Sequence, residues 1–168
     1  MKNFSIIHDK TGREYWISRS VAVMVILFAY DLKGIQYVLT VRRGEETPDS
    51  EYIGATCLPC GYLDYDETTQ EAAARELFEE TGIEVNPLEL KLLSINDNPN
   101  DDKRQNITFR YFIEVRGITI ESLNQLLTTK FSEKNEVDFI EFIAINEIDN
   151  YKWAFNQDKI INQLKRNI

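Results

Sequence analysis

The 168 residues carry 28 acidic and 19 basic side chains, a formal net charge of −9, with 43% hydrophobic and 28% charged residues. A chain of this size and balance suits one folded domain, residues 1–168, burying roughly 70% of its unfolded surface. The acidic excess and the lack of a basic stripe argue against nucleic acid or an anionic membrane as partner.

Taken in order, Phe4–Ile7 and Glu14–Ile17 read as two short strands joined at Asp9-Lys10-Thr11-Gly12, a hairpin. Val21–Tyr30 is a β-branched, apolar run that suits a central strand buried on both faces. It is also about half of what crosses a bilayer, so it is no membrane segment. A turn at Asp31–Gly34 returns the chain as a strand over Gln36–Arg42, and the polar stretch Arg43–Ile53 reads as a loop. Thr56–Pro59 leads into the stretch that the rest of the chain serves. Beyond it, Leu88–Ile95 reads as a strand, Asn96–Gln105 as a polar loop and Asn106–Val115 as an alternating strand. Ile120–Leu127 fits a short helix, Ser132–Glu136 an acidic loop, Val137–Ile145 a strand, Glu147–Tyr151 a helical turn and Gln157–Leu164 an amphipathic helix. Strands bracketing helices in this order predict a mixed α/β fold with a sheet between helices.

Met1-Lys2-Asn3-Phe4 lacks the apolar run of a signal peptide. Cys57 and Cys60 form a lone C-x-x-C, and His8 is the one histidine. A structural zinc site needs about four ligands, and a redox pair favours a helix N-terminus, whereas this pair precedes a loop. Two reduced thiols in a cytoplasmic protein is the reading that remains.

The organising stretch is Gly61–Ile83. Thr68 caps a helix with Glu71 completing a capping box, and Gly82 supplies a left-handed stop. Between them, Glu76, Glu79 and Glu80 fall in one sector with Ala72, while Ala73, Ala74, Leu77, Phe78 and Thr81 form the predicted core face. Like charges spaced i, i+4 cost roughly 0.2–0.5 kcal/mol per pair on an exposed helix, so Glu76 and Glu80 call for a neutralising partner. Oxygen donors so arranged suit a hard divalent cation, Mg²⁺ or Mn²⁺, and Arg75 can orient one of the carboxylates through paired hydrogen bonds. A solvated acidic face is the ordinary explanation of an E-x-x-E-E segment.

The full spacing resembles the signature of the Nudix hydrolases: Gly61, Glu67, Arg75-Glu76-Leu77, Glu79-Glu80 and Gly82-Ile83 match throughout. With each residue type near one in fifteen, seven fixed identities arise by chance in roughly one chain in a million. The resemblance implies a Nudix-like α/β/α sandwich around a mixed sheet. It also implies hydrolysis of the pyrophosphate bond of a nucleoside diphosphate linked to another moiety. It assigns Glu76, Glu79, Glu80 and the Gly61 carbonyl as metal ligands, Glu76 as a candidate base as well, and Glu67 and Arg75 as supports. In this family a base often comes from a loop before a late strand, which points to Glu136, with Glu133 as runner-up. It allows a homodimer.

Outside the signature, Asn96–Arg104 and Trp153-Ala154-Phe155 are loosely similar to family members acting on ADP-ribose. Arg42, Arg43 and Arg104 are candidate phosphate contacts, and Tyr62, Tyr65 and Phe109 candidate stacking partners for a base; surface charge and core packing are the commoner roles of such residues. Many family members carry a second Gly where Cys60 stands, a departure that bears on substrate choice. Complete signature carboxylates favour an enzyme over the alternative, a catalytically silent nucleotide-sensing or nucleotide-binding domain on the same fold.

Overall fold

The computed structural model describes residues 3–47, 49–100, 105–131 and 135–165, with the backbone alone at Trp16. Its centre is β3 (Val21–Tyr30), in which Val23 through Ala29 are all buried. Alternation sorts them to two faces. Val23, Val25, Leu27 and Ala29 pack in one core with Ala72, Ala73 and Leu77 of helix α1 (Thr69–Thr81). Met24, Ile26 and Phe28 pack in a second core with Ile161 of helix α3 (Asp158–Lys165). A continuous apolar run is therefore what this position demands, and the layers are helix, sheet, helix.

Along one edge of β3, β8 (Ile107–Arg116) pairs in parallel over the full strand, and β7 (Lys91–Asn96) pairs antiparallel beyond it. The opposite edge is shared. β4 (Gln36–Arg43) pairs with β3 only through Phe28–Tyr30 and then departs. The gap is filled by β5 (Thr56–Cys57) on β4 and β6 (Cys60–Tyr62) on β3. β9 (Val137–Ala144) closes the sheet on the outer edge of β4, completing seven strands among the described residues. The split between β3 and β4 puts the start of the signature stretch inside the sheet.

The hairpin β1 (Phe4–Ile7) and β2 (Glu14–Ile17) forms with Phe4 opposite Ile17, in a separate two-stranded sheet. Three expected boundaries move by two residues or more. The strand after α1 begins at Lys91, because Asn86 caps a 3₁₀ turn over Pro87–Glu89 and Pro fits the first turn of such a helix. Helix α2 (Ile120–Asn124) is shorter than its apolar pattern, and the turn before the last helix is a 3₁₀ segment at Ile145–Asn150. Within the loop after β4 lies a further 3₁₀ turn, Ser50–Tyr52. Among the described residues no helix is long and apolar enough to cross a membrane.

Candidate active site

Helix α1 forms as its local chemistry dictates. The Thr68 hydroxyl accepts from the Glu71 N–H, the Glu71 carboxylate accepts from the Thr68 N–H at 2.7 Å, and Gly82 turns left-handed at φ 78°. The helix lies against β3, β6 and β8 with Ala72, Ala73 and Leu77 fully buried. Burial of Ala72 carries the acidic sector inward, so Glu76, Glu79 and Glu80 are each partly buried.

Arg75 gathers the acids. Its Nη1 donates to Glu76 Oε1 at 2.8 Å and to Glu79 Oε2 at 3.0 Å. Its Nε and Nη2 grip the two oxygens of Glu67 at 3.1 and 2.8 Å, and Nη2 also reaches the Tyr62 carbonyl at 3.0 Å. Such paired, charge-assisted bonds fix both partners. Arg75 holds the Glu67 carboxyl below its usual range, helped by the Asp64 N–H, and Arg75 itself is raised in turn by Glu67 and Glu76.

Glu80 stands apart from that grip. Its Oε2 accepts from the Cys60 N–H at 3.1 Å, and burial pushes its pKa well above the usual carboxylate range. The neighbouring Cys60 thiol and Glu76 push the same way, against the Arg43 charge. Glu76 is also raised by burial, with Arg75 opposing. Three carboxylates, Glu67, Glu76 and Glu79, thus crowd around one guanidinium, with Glu80 on the next turn of the same helix outside that grip, and Glu76 and Glu80 are held toward the neutral form. Among the described residues, no three His, Cys, Asp or Glu side chains converge as a ready-made metal cage; Arg75 draws Glu67, Glu76 and Glu79 to itself.

The sheet supplies the opposite wall. Gly61 pairs with Val23, which pairs with Phe109, so Gly61, Val23 and Phe109 stand in one row. Phe109 is partly buried against the α1-side core. A β-carbon on Gly61 would fall within the Glu76 carboxylate, so only glycine leaves that group its place. Cys57 and Cys60 are free thiols; the adjacent Cys57 side chain, then burial and the Glu76 charge, raise the Cys60 pKa against Arg43.

The remaining candidates divide. Arg42 leans away, with Nε 2.9 Å from Asp138 and its guanidinium 5.0 Å from the Phe139 ring centre. Its neighbour Arg43 is the residue whose charge reaches Glu80 and Cys60. Glu136 directly precedes β9, where its carbonyl accepts from the Gly44 N–H at 2.7 Å, and a β-carbon on Gly44 would collide with the Asn135 carbonyl. Tyr65 is exposed, 5.8 Å from the Arg13 guanidinium, and the Tyr62 hydroxyl accepts from Asn106 at 3.4 Å. Arg104 and Glu133 lie outside the described residues.

Two contributors had no signal in the sequence. Gln157, almost fully buried, accepts from the Leu58 N–H at 2.6 Å across 99 residues of chain and so holds the turn between β5 and β6. Gly44 admits the Asn135–Glu136 backbone only because it lacks a side chain.

A family model described as the NUDIX domain matches residues 18–164. The ADP-ribose pyrophosphatase of Methanocaldococcus jannaschii is 27% identical over 129 residues, covering 77% of this chain and 66% of that relative, so the chain spans just under two thirds of its length. The NUDIX domain of Shewanella oneidensis NrtR, solved with ADP ribose, superposes with a TM-score of 0.71 at 20% identity over 90% of this chain and 89% of that one. NrtR solved with a 27mer DNA is matched over 61% of its chain and 88% of this one, with a TM-score of 0.62 at 22% identity. A bifunctional NMN adenylyltransferase/ADP ribose pyrophosphatase of Francisella tularensis, solved with AMP and a Mn ion, gives 0.68 at 21% identity over 89% of this chain and 42% of that one.

Proposed function

The chain belongs to the NUDIX domain family, and from that premise we propose that it is a divalent-cation-dependent pyrophosphohydrolase acting as one domain on a nucleoside diphosphate linked to another moiety. ADP-ribose is the leading substrate, supported by what the relatives from Methanocaldococcus, Shewanella and Francisella act on or bind. One observation carries the reading: Glu67, Glu76 and Glu79 gathered around Arg75, with Glu80 on the next turn of α1, and both Glu76 and Glu80 raised by burial.

The donor set fits Mg²⁺ or Mn²⁺. Buried carboxylates that resist ionisation beside one guanidinium need positive charge, and oxygen ligands select hard cations. Glu76, Glu79, Glu80 and the Gly61 carbonyl would hold it. When bound, such an ion supplies charge neutralisation at the phosphate oxygens and lowers the pKa of a water. Arg75 and Glu67 position Glu76 and Glu79. Glu136, on its loop before β9, is the candidate base that takes the proton of the attacking water, with Glu76 as the other candidate. Water adds to one phosphorus, the bridging P–O bond breaks, and ADP-ribose would yield AMP and ribose 5-phosphate. Phe109, in the Gly61 row, is a base-stacking candidate, and Arg43 is the leading phosphate contact; Arg42, engaged by Asp138 and Phe139, and Arg104 remain candidates on the resemblance alone.

NrtR, solved both with ADP ribose and with DNA, supports a second reading, a nucleotide-sensing domain. It also leaves the exclusion of nucleic acid resting on net charge alone. The membrane-free, cytoplasmic setting and a homodimer are proposals of the same kind. A product screen over ADP-ribose, nucleoside triphosphates, dinucleoside polyphosphates, NADH and nucleotide sugars, each with Mg²⁺, Mn²⁺ or EDTA, separates the readings. One substrate cleaved strongly and silenced by EDTA supports the enzyme; nucleotide binding with no product supports the sensor.

A further inference from the structure

The turn at Ala154–Asn156 plays no part in the chemistry above. Phe155 has φ 54° and ψ 21°, and Asn156 follows at φ 55°. Asn tolerates this left-handed region, whereas a bulky residue there is strained. The core does not require that ring. Ala154 and Gln157 on either side are buried, while Phe155 is 39% exposed. A turn of this shape is served more cheaply by Gly or Asn. Strain kept at an exposed aromatic points to a use for the ring.

The ring has two partners. Tyr52 lies 4.5 Å away centre to centre, and the Arg43 guanidinium 5.2 Å from the ring centre. The Arg43 side chain is 13% exposed; its Nη2 is bonded to the Thr47 hydroxyl and lies 3.7 Å from Asp49. Its Nε is buried and has no hydrogen-bond partner among the described residues. The surrounding backbone is pinned as well. Arg43 N–H donates to Ala55 at 3.0 Å, and Thr56 N–H donates to Lys152 at 2.8 Å beside the Thr56–Trp153 bridge. An arginine lodged over a ring, pinned by Thr47 and Asp49 and with one donor unspent, is preorganised to bind an anion.

We propose that Phe155 is a positioning residue that seats the Arg43 guanidinium beside the α1 carboxylates, so that Arg43 takes a phosphate oxygen of the substrate's pyrophosphate. This rests on the pyrophosphohydrolase reading. It assigns the strained turn to substrate affinity, not to the bond-breaking step.

The test compares wild type, Phe155→Leu, Phe155→Trp, Arg43→Gln and the double variant Arg43→Gln/Phe155→Leu with ADP-ribose and Mg²⁺. Phe155→Leu keeps apolar bulk but loses the aromatic face; it is expected to raise KM about tenfold with a smaller change in kcat, and Phe155→Trp to restore KM. The double variant should be no worse than Arg43→Gln alone. Equal KM for the Leu and Trp variants, or additive losses in the double, overturns the proposal. Calorimetric titration of inorganic pyrophosphate with Mg²⁺ into the same proteins tests the anion seat without catalysis. Weaker binding in Phe155→Leu, recovered in Phe155→Trp, upholds it even in a wild type that hydrolyses nothing, which would overturn the enzymatic reading alone. Equal affinities across the three overturn it.

Discussion

Glu80 shows what a single side chain contributes. Burial raises its pKa, and that of Glu76, above the ordinary value. The folded state therefore holds protons there that the unfolded chain has released. The associated stability is complete below the ordinary carboxylate range and is lost as pH rises through the raised values. Glu67 and Glu71 are held low by Arg75 and by the Thr68 N–H, so their contribution is present above the ordinary range and lost as pH falls. In EDTA the wild type is accordingly expected to lose stability as pH rises from the carboxylate range toward neutrality, and Mg²⁺ to remove that loss. Glu80→Gln should flatten the EDTA profile and gain about 1 kcal/mol above neutrality, because an amide still accepts from Cys60 without a buried charge. In Mg²⁺ the order should reverse, with the wild type the more stable. Thermal melts across pH check this; parallel profiles for the two proteins would refute it. The carboxylates were legible in the sequence because their spacing is local to one helix. The Cys60 N–H that holds Glu80, and the Arg43 charge that opposes its burial, come from β6 and β4, and no spacing along the chain encodes them.

Elements set how sharply those side chains are placed. The caps of α1 were readable from Thr68, Glu71 and Gly82, since each acts within one turn of its own helix. The split of the sheet was not. β5 and β6 have two and three residues, too few to show a period, and they exist because β4 parts from β3. That split brings Gly61 onto the Glu76 carboxylate. Gly61→Ala is expected to leave folding nearly intact, since Glu76 is flexible and can swing aside. Hydrolysis should nevertheless fall about a hundredfold, the usual result of moving a reacting or liganding group by about 1 Å. Paired melting curves and turnover numbers decide it, and activity within twofold of wild type would show that the close approach of Gly61 to Glu76 does not matter.

At the scale of the molecule, the fold ties the far end of the chain to the site. The buried Gln157 side chain holds the Leu58 N–H, a contact between segments that only the finished sandwich brings together, which is why it could not be read in advance. Gln157→Leu leaves that N–H buried and unpaired and should cost about 1–3 kcal/mol, seen as a lower Tm; an unchanged Tm would mean that water or a neighbour replaces the bond. The three-layer architecture was legible because the apolar run of β3, buried on both faces, admits helices on either side. A net charge of −9 repels anionic nucleotides, so activity is expected to depend on a cation at α1. The most direct measurement is the release of AMP from ADP-ribose by wild type, Glu79→Gln and Glu80→Gln, each with Mg²⁺ and with EDTA. Wild type should turn over in Mg²⁺ alone, and both variants should lose about a hundredfold or more with their folds intact. Turnover that survives EDTA, or variants as active as the wild type, would contradict that expectation.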